Sequence, residues 1–169
     1  MTSSSRGDDH LAATLLARAL VARAGRRRVW LSDGLPLALR RVPVHRVDTP
    51  ALAEMAVIRA AHIGPRGEVG GPAGGLPSRL WVWFDPREGD RMSEAPRGPR
   101  RGRAECIVGP LGWIELRPAG PVVTQLAPGV SARDLQRFCA PPLLIDPGVD
   151  EMTLGPEPDG SHDADHGVA

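Results

Sequence analysis

The chain has 169 residues and a mass of 18.0 kDa, which suits one domain. Its net charge of +1, from 21 basic and 20 acidic residues, gives no electrostatic footprint for nucleic acid. No stretch reaches the roughly 20 apolar residues of a membrane span, and the N-terminus lacks a signal-peptide pattern, so we expect a cytoplasmic protein with neither nucleic acid nor membrane as partner.

The first third of the chain predicts alternating helices and strands. Apolar residues recur at helical spacing before Gly25, and Pro50 can begin a second such segment. Between them, a short apolar run predicts a buried strand, and Pro43 restricts the next strand to a sheet edge. The predicted elements are a helix over 9–24, a strand over 29–31, a turn over 32–36 with a short helix to Leu39, an edge strand over 42–47 and a helix over 50–61.

The rest of the chain predicts strands with few helices. Residues 80–84 are apolar throughout and suit a strand buried on both faces of a sheet. A polar stretch over 86–103, rich in Pro, Gly and Arg, predicts a mobile loop. Ser131 and Asp134 have the spacing of a capping box, which predicts a short helix to Phe138. The other predicted strands cover 105–108, 113–116, 122–126 and 143–145, after a glycine-rich connection over 64–75.

These elements predict an α/β fold, a sheet flanked by helices. We divide the chain into a disordered N-terminus (1–8), one domain (9–149) and a disordered acidic tail (150–169). His162 and His166 lie four residues apart in the tail beside acidic residues. This pattern is more common in flexible polar tails than in metal sites, so no metal is predicted.

The residue types also limit the chemistry. All 21 basic residues are arginine and tyrosine is absent, which excludes a Schiff-base lysine, a phosphate-loop lysine and a tyrosine general acid. Two cysteines, Cys106 and Cys139, are too few for a disulfide framework or a zinc site. We predict that both are small buried thiols.

A family resemblance emerges near the C-terminal end of the predicted domain. The segment from Gln125 to Gln136, followed by Ala140 and Pro141, resembles the C-terminal signature of the β subunit of 3-oxoacid CoA-transferases, L-A-P-G-V-[TS] before a capped helix and then A-P. The resemblance covers roughly residues 10–147. The other matching segments are 29–39 (family V-N-L-G-I-G-I-P-T-L-V), 58–63 (I-R-G-G-H-I), 67–69 (G-D-L), 79–85 (R-V-V-V-x-M-E) and 104–111 (E-C-T-L-P-L-T).

The resemblance implies a truncated β-subunit-like sheet flanked by helices. It implies a coenzyme A thioester as substrate, no permanently bound cofactor, and a partner that is an α-type subunit or another copy of the chain. His62 matches the family's histidine, and we interpret it as a packed structural residue. The substrate-binding residues implied by the two glycine turns are Ser32, Asp33, Gly34, Gly70 and Gly71.

Departures from the family concern its chemistry. The family's nucleophile is the Glu of an S-E-N-G segment, which attacks the acyl-CoA thioester. No Glu-Asn-Gly occurs in this chain, and the strand expected after I-R-G-G-H-I is also missing. Asp33 places negative charge where CoA phosphates would approach the turn. Glu54, on the helix predicted over 50–61, is the candidate for a replacement carboxylate.

Three functions stay open from the sequence. The leading hypothesis is a β-subunit-like protein that lacks the nucleophile and acts as partner of an α-type subunit or in a diverged acyl-CoA enzyme. The first alternative is an active CoA-transferase or acyl-CoA hydrolase chain that uses another carboxylate, such as Glu54. The second is an arginine-rich binding module that uses residues 86–103. For the leading hypothesis we expect no acidic side chain beside the glycine turn at 32–34.

Overall fold

Long apolar runs form the centre of one large sheet, in a computed structural model that describes residues 5–154. The strands of this part of the chain are β1 (Arg28–Leu31), β2 (His45–Arg46), β3 (Met55–Arg59), β4 (His62–Ile63), β5 (Glu68–Val69), β6 (Arg79–Trp83), β7 (Arg91–Met92), β8 (Gly102–Arg103), β9 (Cys106–Gly109), β10 (Gly112–Arg117), β11 (Gly120–Leu126) and β12 (Leu144–Glu151). The helices are α1 (Ser5–Ala24), α2 (Leu37–Arg40) and α3 (Ala132–Gln136), with 3-10 turns at Pro50–Leu52 and Pro86–Glu88.

The large sheet is mixed, with the strand order β12-β11-β10-β9-β6-β3-β1-β2. Strands β2, β1, β3, β6 and β9 run parallel to one another, β10 is antiparallel to both of its neighbours, and β12 runs parallel to β11. The chain passes from β1 to β2 on one side and then to β3 on the other. The connections after β1 and β3 therefore leave in opposite directions, which makes the gap between these two strands a topological switch point.

Each face of the sheet has its own core. Helix α1 covers one face, where Leu16 and Leu20 pack with Val29, Val57 and the alternate residues of the neighbouring strands. Small two-stranded sheets (β4 with β7, β5 with β8) and helix α3 cover the other face. As predicted, β6 is buried on both faces, because Trp81 faces α1 while Leu80 and Val82 face the small sheets. No helix within residues 5–154 is long and apolar enough to cross a membrane.

The helix predicted over 50–61 is wrong. Pro50 begins only a 3-10 turn, and residues 55–59 form β3, which pairs in parallel with β1 and β6. Residues 55–58 are all buried, and a short apolar run fits a buried strand as well as a helix. The strand expected after the 58–63 match does not join the large sheet, because the chain there forms only the two-residue strands β4 and β5, which belong to the small sheets. The connection between β2 and β3 contains no helix longer than the single 3-10 turn over Pro50–Leu52.

Several predicted boundaries also differ from the structure. Helix α1 begins at Ser5, within the segment predicted to be disordered, and ends before Gly25 as expected. Strand β12 continues through Glu151 into the predicted tail, and Met152 behind it is buried. The predicted loop over 86–103 contains β7 and β8. His162 and His166 lie outside the described residues.

We expect Gly109→Ala to destabilise the fold because β9 approaches the end of β6 too closely for a side chain. A Cβ atom at Gly109 would collide with the carbonyl oxygen of Phe84. Since backbone atoms must then move, the free energy of unfolding should fall by about 3 kcal/mol, as measured by urea denaturation. Gly74→Ala is the matched control, because nothing lies within 4 Å of its added Cβ. Equal stability of the two variants would contradict this account of the β6–β9 contact.

Candidate functional site

The switch point brings three connections together at the carboxyl edge of the sheet. They are the turn after β1, the residues after β3 and the segment over 84–91 that follows β6. In open α/β sheets, ligands bind in the crevice outside the carboxyl ends of the strands at such a point. The side chains that meet there form the candidate site.

The turn after β1 is held against the last residue of β3. The Ser32 N–H donates to the Val57 carbonyl oxygen at 3.0 Å, and Ser32 Oγ accepts a hydrogen bond from the Arg59 N–H at 2.9 Å. Gly34 has φ +77°, a left-handed conformation that favours glycine. A Cβ there would lie 3.4 Å from Arg59 Cδ. The turn therefore rests directly on the Arg59 side chain.

Arg59 is the centre of an ion-pair cluster. Its guanidinium contacts the carboxylates of Glu88 and Asp90, the latter with an Nη2–Oδ1 distance of 3.4 Å. The Asp90 side chain is only 2% exposed, and its Oδ2 accepts a hydrogen bond from the Asp85 N–H at 2.8 Å. Partial burial opposes the charge of Arg59, but Glu88 and Asp90 together raise the pKa of this guanidinium. Arg59 is thus held permanently positive beside the turn.

Asp85 connects the cluster to helix α1. It caps the 3-10 turn after β6, because Asp85 Oδ1 accepts hydrogen bonds from the Arg87 N–H at 3.0 Å and from Arg87 Nε at 3.1 Å. Arg87 also forms an ion pair with Asp9 of α1. Burial raises the pKa of Asp85. The hydrogen bond from the Arg87 N–H acts in the opposite direction, whereas the negative charges of Glu88 and Asp90 raise this pKa further.

The carboxyl edge carries more negative than positive charge, since the four carboxylates Asp33, Asp85, Glu88 and Asp90 outnumber the two arginines Arg59 and Arg87. Asp85 and Asp90 are buried, whereas the Glu88 side chain is 56% exposed. At the turn, the N–H groups of Asp33 and Gly34 meet no acceptor among residues 5–154. Chemically, the edge offers backbone hydrogen-bond donors, a fixed guanidinium and two accessible carboxylates, Asp33 in the turn and Glu88 in the cluster. Glu88 reaches the glycine turn only through Arg59, which pairs with it and contacts Gly34. This carboxylate departs from the expectation of no acidic side chain beside the turn, and it is the ground for the active alternative.

The structure does not bring the two predicted glycine turns together. Gly70 and Gly71 belong to the connection that leads into the amino end of β6, and a Cβ on Gly71 would meet Leu76 and Arg101. Ser32 and its neighbours follow the carboxyl end of β1. Because β1 and β6 run in the same direction, these positions lie at opposite edges of the sheet.

Glu54 also lies at the amino edge, directly before β3. It pairs with Arg28, the first residue of β1, at 3.3 Å, with both side chains about half exposed. Hydrogen bonds from the Arg28 backbone N–H and side chain lower the pKa of Glu54. The helix that was predicted to carry Glu54 does not form, so the carboxylate faces neither the turn at 32–34 nor the ion-pair cluster.

Sequence reasoning missed the residues that meet at the carboxyl edge. Arg59 lay within the I-R-G-G-H-I match but was given no role, and Glu88 and Asp90 lay in the predicted loop. A usable signal was present, since acidic residues directly follow the strongest predicted strand. His62 is exposed, so its interpretation as a packed residue is wrong. No group of three His, Cys, Asp or Glu within residues 5–154 is arranged to hold a metal ion.

Similar solved structures share this architecture. A variant of the decarboxylase AibA/AibB has a TM-score of 0.63 and 14% identity over 90% of both chains. Glutaconate coenzyme A-transferase from Acidaminococcus fermentans has a TM-score of 0.58 and 12% identity, over 86% of this chain and 88% of that one. The acyl-CoA transferase YdiF from Escherichia coli, in a thioester complex with CoA, has a TM-score of 0.53 and 12% identity, over 84% of this chain and 43% of that one.

The chain has the fold of these proteins. No protein-family model and no curated protein matches the sequence, so the similarity is one of fold. The CoA-transferase-like α/β fold expected from the sequence is thereby confirmed.

Replacement of Arg59 tests whether the cluster holds this edge together. Arg59→Met removes the cation from the buried Asp90 carboxylate, and the uncompensated charge should lower the free energy of unfolding by about 2 kcal/mol. Thermal and urea denaturation measure the change. Arg28→Met breaks a comparable but exposed pair with Glu54 and should leave the melting temperature nearly unchanged. An Arg59 variant as stable as the Arg28 variant would refute the role of the cluster.

Thiol reactivity tests the burial of the two cysteines. Both are buried and free, as predicted. Burial raises the pKa of Cys139 to about 12 and that of Cys106 well above its ordinary value. At pH 8 the thiolate is therefore scarce, and neither residue should react with a disulfide reagent until the chain is unfolded. Rapid labelling of the native protein would contradict this prediction.

Proposed function

We propose that this chain is a component similar to a CoA-transferase β subunit, which holds an acyl-CoA thioester at the carboxyl edge and acts with a partner chain, without a covalent nucleophile of its own. One observation carries the proposal. The turn over 32–34 and Arg59 are in contact at the switch point of a fold shared with CoA-transferases. A switch point is where the strand order of an open α/β sheet favours a ligand.

The carboxyl edge suits the carbonyl group of a thioester. The N–H groups of Asp33 and Gly34 are available as donors, and the side chain of Arg59 packs against Gly34. Fixed donors of this kind stabilise negative charge that develops on a carbonyl oxygen. The chain would thus orient and polarise the thioester, and no bond to an atom of this chain would form.

The acidic residues of the cluster support a non-covalent role. Asp85 and Asp90 are buried and accept hydrogen bonds from backbone N–H groups. Glu88 forms an ion pair with Arg59, and a carboxylate held by a guanidinium is a poorer nucleophile. The sequence also lacks the Glu-Asn-Gly of the transferases that it resembles. A partner would therefore supply the acyl acceptor.

The far edge of the sheet suits a protein partner. Strand β12 is the last strand of the sheet, and its Leu144 and Ile145 are 43% and 47% exposed. Exposed apolar residues on an unpaired edge favour association with another chain. The fold neighbour AibA/AibB carries the names of two components. An α-type subunit is the proposed partner, and a second copy of this chain is the alternative.

A second candidate function follows from the exposure of Glu88. Its carboxylate lies at the carboxyl edge and is more than half exposed, so it could attack a thioester bound at the turn. The chain would then be an active component of a CoA-transferase or acyl-CoA hydrolase, with Glu88 as the acyl acceptor. This residue replaces Glu54, which lies at the opposite edge, as the carboxylate to test.

Binding and trapping experiments separate these functions. The full chain, alone and with an α-type CoA-transferase subunit, is titrated with acyl-CoA thioesters by calorimetry. We expect binding that Arg59→Lys weakens about tenfold, because lysine keeps the charge but loses the planar donors. Arg28→Lys, at the amino edge, is the matched control and should bind normally. Unaltered binding by the Arg59 variant would disprove the proposed site.

Borohydride trapping then tests the covalent alternative. After incubation with acyl-CoA, the non-covalent function predicts no reduced carboxylate on this chain. Labelled Glu88, with turnover lost in Glu88→Gln and kept in Glu54→Gln, would establish the second candidate in its place. Size-exclusion chromatography of the mixture shows whether a complex forms with the α-type subunit or only with another copy.

A further inference from the structure

A cavity, which we call the arginine pocket, lies beside the carboxyl edge. It has a volume of about 560 Å³ and lies between the segment that follows the ion-pair cluster and the end of α3. Its walls carry three arginines and one acidic residue, namely Arg91, Arg97, Arg137 and Glu94, around Phe138 and Cys139. None of these residues takes part in the proposed handling of the thioester.

The backbone in the wall of the arginine pocket is already paired. The Met92 N–H donates to the Phe138 carbonyl oxygen at 3.0 Å, and the Ala140 N–H donates to the Met92 carbonyl oxygen at 2.9 Å. Through these bonds, β7 and the chain after α3 form one wall. The side-chain hydrogen-bonding groups of the pocket are those of its three arginines, Ser93 and Glu94, and only the arginines carry positive charge.

Arg91 is fixed in place by its surroundings. Its Cζ atom lies 4.7 Å from the centre of the Phe138 ring, and its Nη1 donates to the carbonyl oxygens of Pro86 at 2.9 Å and Asp90 at 2.7 Å. Carbonyl partners orient a guanidinium without cancelling its charge, so Arg91 remains positive. A preorganised guanidinium loses little side-chain freedom when it binds an anion.

The other two arginines add positive charge at the rim. The Arg137 side chain is 70% exposed, and its contact with Asp134 is long, at 3.5 Å. Asp134 already holds Ser131 in the capping box. Arg97 lies across the pocket on the segment after β7. With Glu94 as the one acidic residue in the lining, the pocket is net positive and suits an anion with several oxygens.

We infer that the arginine pocket binds the phosphate groups of coenzyme A while its thioester lies at the carboxyl edge. The carboxyl edge carries more carboxylates than arginines, Asp33 among them, so it does not attract phosphates, whereas the arginine pocket does. Consecutive residues join the two sites, because Asp90 holds Arg59 and Arg91 lines the pocket. The choice of coenzyme A over other phosphate compounds rests on the proposed function.

Phosphate-bearing and phosphate-free parts of the ligand test the two sites separately. The full-length protein is titrated with adenosine 3′,5′-bisphosphate, with inorganic phosphate and with an acyl-pantetheine that carries no phosphate. We expect the double variant Arg97→Gln/Arg137→Gln to bind the bisphosphate about tenfold or more weakly, since two charge-assisted contacts are lost. Its affinity for acyl-pantetheine should not change.

A matched control removes the same number of charges nearby. Arg100→Gln/Arg133→Gln alters the same loop and helix α3, which Arg137 directly follows, but neither residue lines the pocket. Equal weakening in the control would overturn the inference, because the attraction would then be a property of the whole surface. Unchanged binding of the bisphosphate in the double pocket variant would overturn it as well.

The two proposals can fail independently. Binding of the bisphosphate that depends on Arg97 and Arg137, without binding of acyl-pantetheine, would support the arginine pocket and refute the thioester site. Binding of acyl-pantetheine without binding of the bisphosphate would refute the arginine pocket alone. Circular dichroism and melting curves of each variant show that a lost affinity does not reflect unfolding.

Discussion

Burial of the Asp90 carboxylate is the constraint on which the carboxyl edge depends. An ionised side chain removed from water must have charged or hydrogen-bonding partners, or folding becomes too costly. Asp90 has both, the guanidinium of Arg59 and the N–H of Asp85. These bonds fix the loop after β6 to the end of β3. Arg59 in turn supports Gly34, so the turn, the strand end and the loop form one unit.

The carboxyl edge and the neighbouring arginine pocket differ in their balance of charge. The carboxyl edge offsets its arginines with carboxylates, whereas the arginine pocket leaves most of its positive charge unpaired. A ligand with a neutral reactive end and an anionic tail would find a complementary partner in such a surface. Two consecutive residues connect these regions, because the Asp90 side chain belongs to the ion-pair cluster and the Arg91 side chain lines the arginine pocket. Substrate orientation would then follow from charge as well as from shape.

The parts of the fold that could be predicted from the sequence are those with local patterns. The end of α1 at Gly25, the capping box at Ser131 and the doubly buried β6 each depend on neighbouring residues. Strand β3 was missed because its apolar run fits helical and extended spacing equally well. Only its pairing with β1 and β6, which are distant in sequence, decides between the two.

The candidate site shows the same limit. Resemblance to a family located the turn at 32–34, but the partners of Arg59 lie about thirty residues away and share no motif with it. The resemblance also grouped Gly71 with this turn, since both match glycine-rich segments. The two segments lie at opposite edges of the sheet because of the direction of the strands, and a local sequence pattern does not show that direction.

The mixed direction of the sheet has a consequence for how the molecule assembles. Pro110 and Leu111 alone separate β9 from β10, and Pro118 and Ala119 alone separate β10 from β11. This meander can close with little loss of chain entropy, whereas β1, β3 and β6 must await long crossovers. We expect the meander to form early and to act as the template on which the parallel strands align. The carboxyl edge at β1 and β3 would then be among the last features of the native state to take shape.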